Sequence, residues 1–383
     1  MRIYLDHNAT TPLRPEVLET MRVTLERSFG NPSSTHAEGA EGKAALDSAR
    51  EEVAALLGVR QAPSESILFT AGATEANNAL LRFGNWQGRG RHVISTGTEH
   101  PSVVEPLDEL EAAGVRVTRV PVDADGMLDP GRIEEAIEDD TGLVSVIWAN
   151  NETGVIQPMA KISEVAQARG VWLHADATQA LGKAPVDVGE VPVDFLSVSA
   201  HKLNGPKGTG CLYARDARAL RPWLSGGGQE SGLRGGTENV AGIAGFGTAC
   251  RLAQKELPER MSQYGELRDR LWKGVSDVVG DVRRNGSPAH VLVNTLNVEF
   301  CGAPGEVILQ ALDLEGIAVS AGAACHSGAI SPSHVLTAMG RTPDEARGCL
   351  RFSVGYGVDE GQVDRAVEVL AAVVPRAREA ASR

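Results

Sequence analysis

Short apolar runs alternate with amphipathic segments along the first two thirds of the chain. Runs rich in β-branched and aromatic residues predict strands, and stretches with apolar residues every three or four positions predict helices. The predicted strands cover residues 66–69, 92–95, 115–120, 143–148, 171–174, 195–198 and 210–213. The predicted helices cover residues 15–27, 37–57, 74–81, 103–113, 130–137 and 161–169. This alternation is typical of an α/β fold with a mostly parallel seven-stranded sheet, in which ligands bind beyond the carboxyl ends of the strands.

The pattern changes in the last third of the chain. A charged amphipathic helix is predicted over residues 252–278, after a glycine run at 226–228, and two further strands are predicted at 295–300 and 350–353. We therefore expect a large domain over residues 13–255. Residues 1–12 and 256–383 should form a smaller α+β domain, with a mobile loop at about 320–332.

Composition narrows the possible partners. The 383 residues are 42% apolar and carry a net charge of −13, which argues against nucleic acid or an anionic membrane as a direct partner. We find no apolar run near ~20 residues and no signal-peptide core, so we expect no membrane span. The five cysteines are odd in number and widely spaced, which predicts no metal site and a reducing, cytoplasmic location.

A lysine follows the predicted strand at 195–198. The sequence there runs Ser199-Ala200-His201-Lys202 and then enters a Gly/Pro-rich turn. A lysine at the end of a buried strand is suited to Schiff-base chemistry, because burial disfavours its ammonium form. The alternative is a surface lysine after an edge strand.

Two other strand ends carry polar groups that could meet this lysine. Ala73 and Thr74 open a predicted helix after Gly72, where backbone N–H groups could hold a phosphate, although Thr74 could instead be a helix cap. His100 follows the strand at 92–95 and could stack on a planar ring or move a proton, or it could be a satisfied loop histidine.

A buried aspartate is the most informative partner for Lys202. Asp176 ends the strand at 171–174 and could pair with a pyridinium nitrogen, while Gln179 would face the same side at the opening of a helix. The alternative is that Asp176 caps that helix. Asn151 lies in a polar loop that could bind a hydroxyl or a carboxylate, or simply form a turn.

Two residues near the C-terminus complete the candidate site. Cys325 lies in a loop of small residues, where an adjacent His326 could stabilise its thiolate. Arg351 lies on a predicted strand and could bind a substrate carboxylate with two hydrogen bonds, or it could form a surface salt bridge.

These motifs, taken together, resemble the cysteine desulfurases of the NifS/IscS type, within the class V aminotransferases of PLP fold type I. The resemblance covers nearly the whole chain. It rests on the segments at residues 4–12, 30–34, 72–75, 98–100, 150–154, 174–179, 199–202, 235–239, 325–336 and 350–353.

The resemblance implies a role for each candidate residue. Pyridoxal 5′-phosphate (PLP) would be bound to Lys202, with Asp176 at its pyridine nitrogen, Gln179 at its ring hydroxyl and His100 stacked on the ring. The phosphate would be held by Ala73, Thr74, Ser199 and His201, and by Thr237 from the second subunit of a homodimer. Asn151 and Arg351 would bind the carboxylate of L-cysteine, and Cys325 would be the catalytic nucleophile.

The implied reaction converts L-cysteine to L-alanine and leaves a persulfide on Cys325 for a sulfur-acceptor protein, which could serve iron–sulfur assembly or tRNA thiolation. A PLP-dependent cystine or cysteine C–S lyase, or a selenocysteine lyase, would keep Lys202 and Asp176 without needing Cys325. A sulfur carrier without PLP is a further alternative. Two departures from the family pattern are His326, where relatives typically have threonine, and an end at Arg383, which puts docking of an iron–sulfur scaffold in doubt.

Overall fold

The computed structural model describes residues 2–60, 62–321 and 332–382. Its twelve strands in this described part are β1 Ile3–Tyr4, β2 Ile67–Thr70, β3 His92–Thr96, β4 Arg116–Val120, β5 Thr141–Ile147, β6 Trp172–Asp176, β7 Phe195–Ser199, β8 Gly210–Ala214, β9 Val282–Asn285, β10 Thr295–Phe300, β11 Ile317–Ala318 and β12 Cys349–Ser353. Its helices there are α1 Pro15–Arg27, α2 Ala37–Leu56, α3 Ala73–Phe83, α4 Pro101–Ala112, α5 Pro130–Ala136, α6 Met159–Ala168, α7 Val240–Val279, α8 Gly305–Leu314, α9 His334–Ala338, α10 Pro343–Arg347 and α11 Glu360–Ala381.

The seven-stranded sheet runs in the order β2-β8-β7-β6-β5-β3-β4. Only β8 runs against its neighbours β2 and β7, and the other pairs are parallel. The central strands β5, β6 and β7 are almost wholly buried, as expected of a sheet covered on both faces. The prediction of a mostly parallel seven-stranded α/β sheet is therefore confirmed, and the strand bounds differ from the predicted ones by one or two residues.

A second, smaller sheet lies in the C-terminal part of the chain. Strands β12, β10 and β9 pair in antiparallel fashion, and the short strand β1 pairs in parallel with β11. Asp6 also bridges to Ser353 of β12, so the first residues pack with this sheet, while their assignment to the small domain stays a prediction. The N-terminal segment thereby reaches from the small sheet toward the large one.

Helix α7 is twelve residues longer at its start than the sequence predicts. Its first turns contain Gly242, Gly245 and Gly247, and glycine lowers helix propensity, which explains the error. The glycines are needed for close packing: a Cβ on Gly245 would lie 2.7 Å from Met21 of α1, and one on Gly247 would lie 2.7 Å from the Cα of Ala49 of α2. Packing between helices has overridden local propensity here.

The apolar core changes along α7. Residues up to Ala253 pack with the core of the large sheet, whereas those from Tyr264 onward pack with the three-stranded sheet and α11. This change of core supports the predicted division at residues 255 and 256, which stays a prediction. None of the described helices is long and apolar enough to cross a membrane.

Candidate functional site

Lys202 lies at the carboxyl end of β7, in a single helical turn over Ala200–Lys202. Its Nζ donates to the backbone oxygens of Asn8 and Ala9, at 2.6 and 2.8 Å. Burial, together with the nearby positive charge of Arg351, lowers the pKa of Lys202 to about 8. The surface-lysine alternative is therefore wrong, because the amine is directed into the protein and is partly neutral near physiological pH.

Asp176 ends β6, the strand beside β7, and is only 3% exposed. One carboxylate oxygen, Oδ1, accepts the backbone N–H of Thr178 at 3.0 Å, and Oδ2 accepts Nδ2 of Asn77 at 2.9 Å. The helix expected after Asp176 is wrong: residues 177–184 form turns. The tight hydrogen bond to Thr178 explains the difference, because it closes a turn directly after the strand.

His100 is linked to Asp176 through two side chains. Its Nδ1 accepts the backbone N–H of Ser102 at 3.1 Å and lies 2.8 Å from Ser102 Oγ, while Asn77 donates both to that hydroxyl, at 2.8 Å, and to Asp176. Because Nδ1 accepts the backbone N–H, the hydrogen of the neutral ring lies on Nε2. Burial lowers the pKa of His100, which keeps the ring neutral, and its capping of α4 gives it a structural role as well.

Gln179 is buried, and its amide has two partners. Its Nε2 donates to the backbone oxygen of Asn8 at 2.9 Å, and its Oε1 accepts from Nζ of Lys183 at 2.7 Å. The backbone oxygen of Asn8 also accepts from Lys202. Asn8 therefore joins Gln179 and Lys202 in one group of hydrogen bonds.

The start of α3 forms a cradle suited to an anion. Gly72 is the N-cap with φ of 156°, a value that side chains rarely adopt, and no side chain caps the first N–H groups. The threonine-cap alternative for Thr74 is therefore wrong, and Thr74 is exposed beside buried Ala73. A Cβ on Gly72 would lie 3.5 Å from Ser199 Oγ, so the glycine keeps the cradle open toward β7.

Two further side chains near this cradle carry no uncompensated charge: Glu75 is paired with an arginine, and His201 is neutral. Glu75 accepts the backbone N–H of Ala71 at 2.7 Å and is paired with Arg234 at 2.7 Å, which compensates its charge. His201 contacts Thr10 Oγ1 through Nδ1 at 3.1 Å. Burial and the charge of Lys202 lower the pKa of His201 to about 4, so it is a neutral ring able to donate one hydrogen bond.

Arg351 is buried at the junction of the two sheets. Its guanidinium donates to the backbone oxygen of Asn151 at 2.9 Å and to Asp6 Oδ1 at 2.7 Å. Its Nε has no hydrogen-bond partner among the described residues. The surface-salt-bridge alternative is wrong, because this arginine is 4% exposed and reaches the same segment of chain that holds Lys202.

Cys325 and His326 lie outside the described residues, but both flanks of their segment contact the site. Before it, Ser320 exchanges two backbone hydrogen bonds with Arg351, at 2.7 and 3.2 Å. After it, Nε2 of His334 lies 2.9 Å from the backbone oxygen of Glu99, the residue before His100. The described chain therefore leaves the site beside the candidate carboxylate-binding arginine and returns beside the candidate ring-stacking histidine.

Thr237 is exposed on the segment before α7. Its neighbour Arg234 pairs with Glu75 at the start of α3. The structure thus brings together Lys202, Asp176, Gln179, His100 and Arg351 through direct bonds and electrostatic contact, and it leaves Thr237 at the surface.

Several residues of the site were missed by the sequence analysis. Asn8, Asn77 and Lys183 form hydrogen bonds to the predicted residues, and Glu99 is fully buried with a pKa raised by burial to about 8. A signal was available for two of them: Asn77 is four positions before Leu81 on the buried face of α3, and Lys183 lies four positions after Gln179 in an otherwise apolar turn. A polar residue in an apolar pattern marks a buried hydrogen bond.

The donor set fits PLP. A phosphate matches the open N-terminus of α3 with Ser199 and His201, a pyridinium matches the buried Asp176, and an aldehyde matches the amine of Lys202 with its lowered pKa. Each of these groups lies at the carboxyl end of a strand or the start of the helix after it, where an α/β sheet binds its ligands.

Comparisons with known proteins agree with this fit. The family model for class-V aminotransferases matches residues 3–366. The cysteine desulfurase IscS of Dictyoglomus turgidum is 42% identical over 378 residues, which cover 98% of this chain and 95% of the relative. The human cysteine desulfurase is 42% identical over 384 residues, which cover 98% of this chain and 82% of the relative.

Solved structures give the same result. A NifS-like protein superposes with a TM-score of 0.91 at 37% identity, over 98% of this chain and all of that one. A structure described as SspA in complex with cysteine superposes with a TM-score of 0.81 at 37% identity, over 92% of this chain and 99% of that one. The chain therefore belongs to the class-V aminotransferase family and, within it, to the PLP-dependent cysteine desulfurases of fold type I.

Proposed function

We propose that this enzyme takes the sulfur of L-cysteine as a persulfide on Cys325, releases L-alanine, and passes the sulfur to an acceptor protein. The observation that carries this proposal is the position of the two flanks of the Cys325 segment. Ser320 is bonded to Arg351, and His334 contacts Glu99 beside His100. Cys325 lies between Ser320 and His334 in the sequence. The nucleophile is therefore close along the chain to residues that contact Arg351 on one side and the segment of His100 on the other.

The residues that would hold PLP follow from the site. Lys202 would bind its aldehyde carbon, Asp176 its ring nitrogen, Gln179 its ring oxygen, and His100 the face of the ring. The phosphate would be held by Ala73, Thr74, Ser199 and His201, with Thr237 supplied by the partner in a dimer. PLP supplies an electron sink for the charge that develops when the substrate loses its Cα proton.

Substrate binding rests on the junction of the two sheets. Arg351 offers a charge-assisted contact to the carboxylate of L-cysteine, and its Nε is still free to donate among the described contacts. Asn151 lies beside Arg351, because its backbone oxygen accepts a hydrogen bond from the guanidinium. With PLP bound, the amine of Lys202 would be positioned to take the Cα proton of the substrate, because its lowered pKa keeps part of the amine unprotonated.

The sulfur step is balanced within the two reactants. The Cys325 thiolate attacks the sulfur of the substrate, so an S–S bond forms and the Cβ–S bond breaks. The electron pair of the broken bond returns to the substrate carbon, which is protonated to give the methyl group of L-alanine. The enzyme sulfur is oxidised to the persulfide level as the substrate carbon is reduced, so no outside oxidant is needed.

A homodimer is part of the proposal. Large apolar side chains are exposed on α1 and just after it, namely Leu18, Leu25 and Phe29 at 57%, 67% and 75%. Such a cluster favours burial against another surface. A second copy would let Thr237 reach the partner's phosphate site, and a monomer in solution that still retained PLP tightly would contradict this part of the proposal.

The acceptor is proposed by class. IscS relatives carry a name connected with iron–sulfur assembly, and we propose that the persulfide serves this process or tRNA thiolation in the cytoplasm. The net charge of −13 favours a protein acceptor over direct contact with nucleic acid.

The test compares two cysteine variants. Cys325→Ala should keep the yellow bound cofactor and lose alanine formation from L-cysteine by about 100-fold or more, because the sulfur has no acceptor. Cys301→Ala is the matched control, since Cys301 is partly exposed and its hydrogen bonds are to Glu299, Asp281 and Arg378, none of which belongs to the site. Cys301→Ala should form alanine and a persulfide at the normal rate. Retained alanine formation in Cys325→Ala would contradict the persulfide mechanism.

A further inference from the structure

Lys183 is a buried lysine with no acidic partner among the described residues. It is 5% exposed, and its Nζ lies 2.7 Å from Gln179 Oε1 and 3.4 Å from Asn8 Oδ1. The charged and titratable groups that interact with it are all basic: Lys202, Arg260, Arg351, His7 and His201. Burial lowers its pKa well below the usual value, and Lys202 and Arg351 add to the effect.

The charged form of a buried amine among basic groups is unfavourable unless a negative group lies beside it. Desolvation strongly disfavours a charged amine, and an apolar side chain of similar length would avoid that cost. The proposed function would bring two negative groups to this part of the site, the ring oxygen of PLP and the carboxylate of the substrate. Either group would favour the charged form of Lys183, which burial otherwise opposes. Lys183 bonds to Gln179, which is the residue that the proposed function places at the ring oxygen.

The hydrogen bonds of Gln179 allow one amide orientation. The backbone oxygen of Asn8 can only accept, so the group 2.9 Å from it must be the NH₂ of Gln179. The carbonyl oxygen of the same amide must then face Lys183, whose amine donates at 2.7 Å. The second hydrogen of the amide is left to be donated elsewhere. Lys183 thereby holds Gln179 as a donor, whereas the reversed amide would place its oxygen against the oxygen of Asn8.

We propose that Lys183 is a positioning residue for the cofactor: it holds the Gln179 amide with its N–H toward the ring oxygen of PLP, and its amine offsets the negative charge of that oxygen. This inference rests on the proposed role of Gln179 and on PLP attachment at Lys202. It assigns to Lys183 two separable contributions, an orienting hydrogen bond and a nearby positive charge.

The test measures the bound cofactor rather than turnover. The absorbance of PLP linked to Lys202 changes with pH, and its midpoint reports the pKa of the linkage. Positive charge near the ring oxygen favours the unprotonated linkage, so Lys183→Met should raise this pKa by about one unit or more. It should also release PLP several-fold faster. The exposed Lys161, which pairs with Glu164, gives the control Lys161→Met, which should change neither value.

A double variant separates positioning from general electrostatics. In a Gln179→Leu background, Lys183→Met should speed PLP release less than it does in the native background, because the shared hydrogen bond is already gone. Lys183→Gln restores a neutral donor and should recover slow release while keeping the raised pKa. It also takes the place of Lys183→Met if that variant does not fold.

The outcomes distinguish this inference from the proposed function. A folded Lys183→Met protein with the native linkage pKa and native PLP release would overturn the role of Lys183 alone. A lower melting temperature with no change in either value would mean that Lys183 is purely structural, which also contradicts the proposal. If the native protein itself formed no coloured linkage at Lys202, the proposed function would fail instead.

Discussion

Two regions of the site are built in different ways. The cofactor floor, comprising His100, Asp176, Gln179 and Lys202, stands on the ends of strands in one sheet and the turns that follow them. The substrate junction, comprising Asp6, Asn8, Asn151, Ser320 and Arg351, joins segments from opposite ends of the chain. The backbone positions of the floor are therefore set within one sheet, although Gln179 and Lys202 also donate to the backbone oxygen of Asn8. The junction exists only when the two sheets are packed together.

The difference separates cofactor binding from substrate binding. Side chains of the floor have direct hydrogen bonds that fix them before a ligand arrives, such as Asn77 to Asp176 and Ser102 to His100. The junction holds Arg351 through Asp6 and a backbone oxygen and leaves its Nε without a partner among the described residues. A change at the junction should therefore affect the substrate while leaving the cofactor in place.

The largest effect is expected for Arg351→Gln. Loss of a charge-assisted contact to the substrate carboxylate should lower kcat/KM for L-cysteine by about 100-fold, mainly through KM, because such bonds contribute ~1.5–3 kcal/mol. The spectrum of bound PLP should stay unchanged. Steady-state kinetics over a range of L-cysteine concentrations measure the effect.

Two controls accompany this variant. Arg347→Gln removes an exposed arginine that pairs with Asp344 and should leave KM unchanged. Asp6→Asn keeps Arg351 and an oxygen for its hydrogen bond but removes the negative charge, and so measures how much of the effect comes from the lost ion pair. An unchanged KM in Arg351→Gln would show that the substrate carboxylate is bound elsewhere, and the distinction between floor and junction would fail.

The next effect concerns the floor and depends on pH. Lys202 attacks the aldehyde of PLP only as the neutral amine, and its pKa of about 8 makes that form abundant at lower pH than in a free lysine. Uptake of PLP by the cofactor-free protein should therefore slow about tenfold for each pH unit below 8 and level off above it. The rate at which the yellow colour appears measures this dependence.

The burial of Lys202 determines the direction in which the rate of PLP uptake changes with pH. Burial opposes the charged form of Lys202, so protonation as the pH falls removes the reactive amine. A rate that continued to rise tenfold per pH unit from about 8 to 10 would be the behaviour of an ordinary exposed lysine. Such a result would contradict the buried position of Lys202 on the floor.

How much of this could be read from the sequence differs between the two regions. The floor was predicted because each of its residues lies at the end of an apolar strand or a few positions after it, and the ends of parallel strands meet at one edge of the sheet. The position of Arg351 on a strand was also predicted, but not its burial or its pairing with Asp6. These depend on contacts between residues more than 300 positions apart, which no local pattern reports.

The errors of the sequence analysis have two kinds of cause, a local turn and contacts between distant residues. The helix expected after Asp176 is replaced by turns, because Asp176 accepts the backbone N–H of Thr178. Asn8 and Lys183 were missed because their importance lies in hydrogen bonds to Gln179, and Gln179 is 171 positions from Asn8. The glycines of α7 misled the prediction since their packing role appears only against α1 and α2.

The smallest predicted effect tests whether Ser333 and α9, which follow the Cys325 segment in the chain, are coupled to the substrate junction. Ser333 caps α9 by accepting the N–H of Leu336 at 3.1 Å, and it donates to the buried Glu152 at 2.6 Å. Ser333→Ala should lower the free energy of unfolding by about 1–2 kcal/mol, because a cap is lost and a buried acceptor loses its donor. Turnover of L-cysteine should fall several-fold with the PLP spectrum unchanged.

The matched control for this last effect is Thr342→Ala. Thr342 caps α10 in the same way but is exposed and has no bond to Glu152. Thr342→Ala should lower the free energy of unfolding by about 1 kcal/mol and leave turnover of L-cysteine unaltered. If both variants lowered turnover equally, the loss would follow from general destabilisation. If only Ser333→Ala did so, the Ser333–Glu152 contact would be the point at which the chain that carries the nucleophile is fixed to the substrate side of the site.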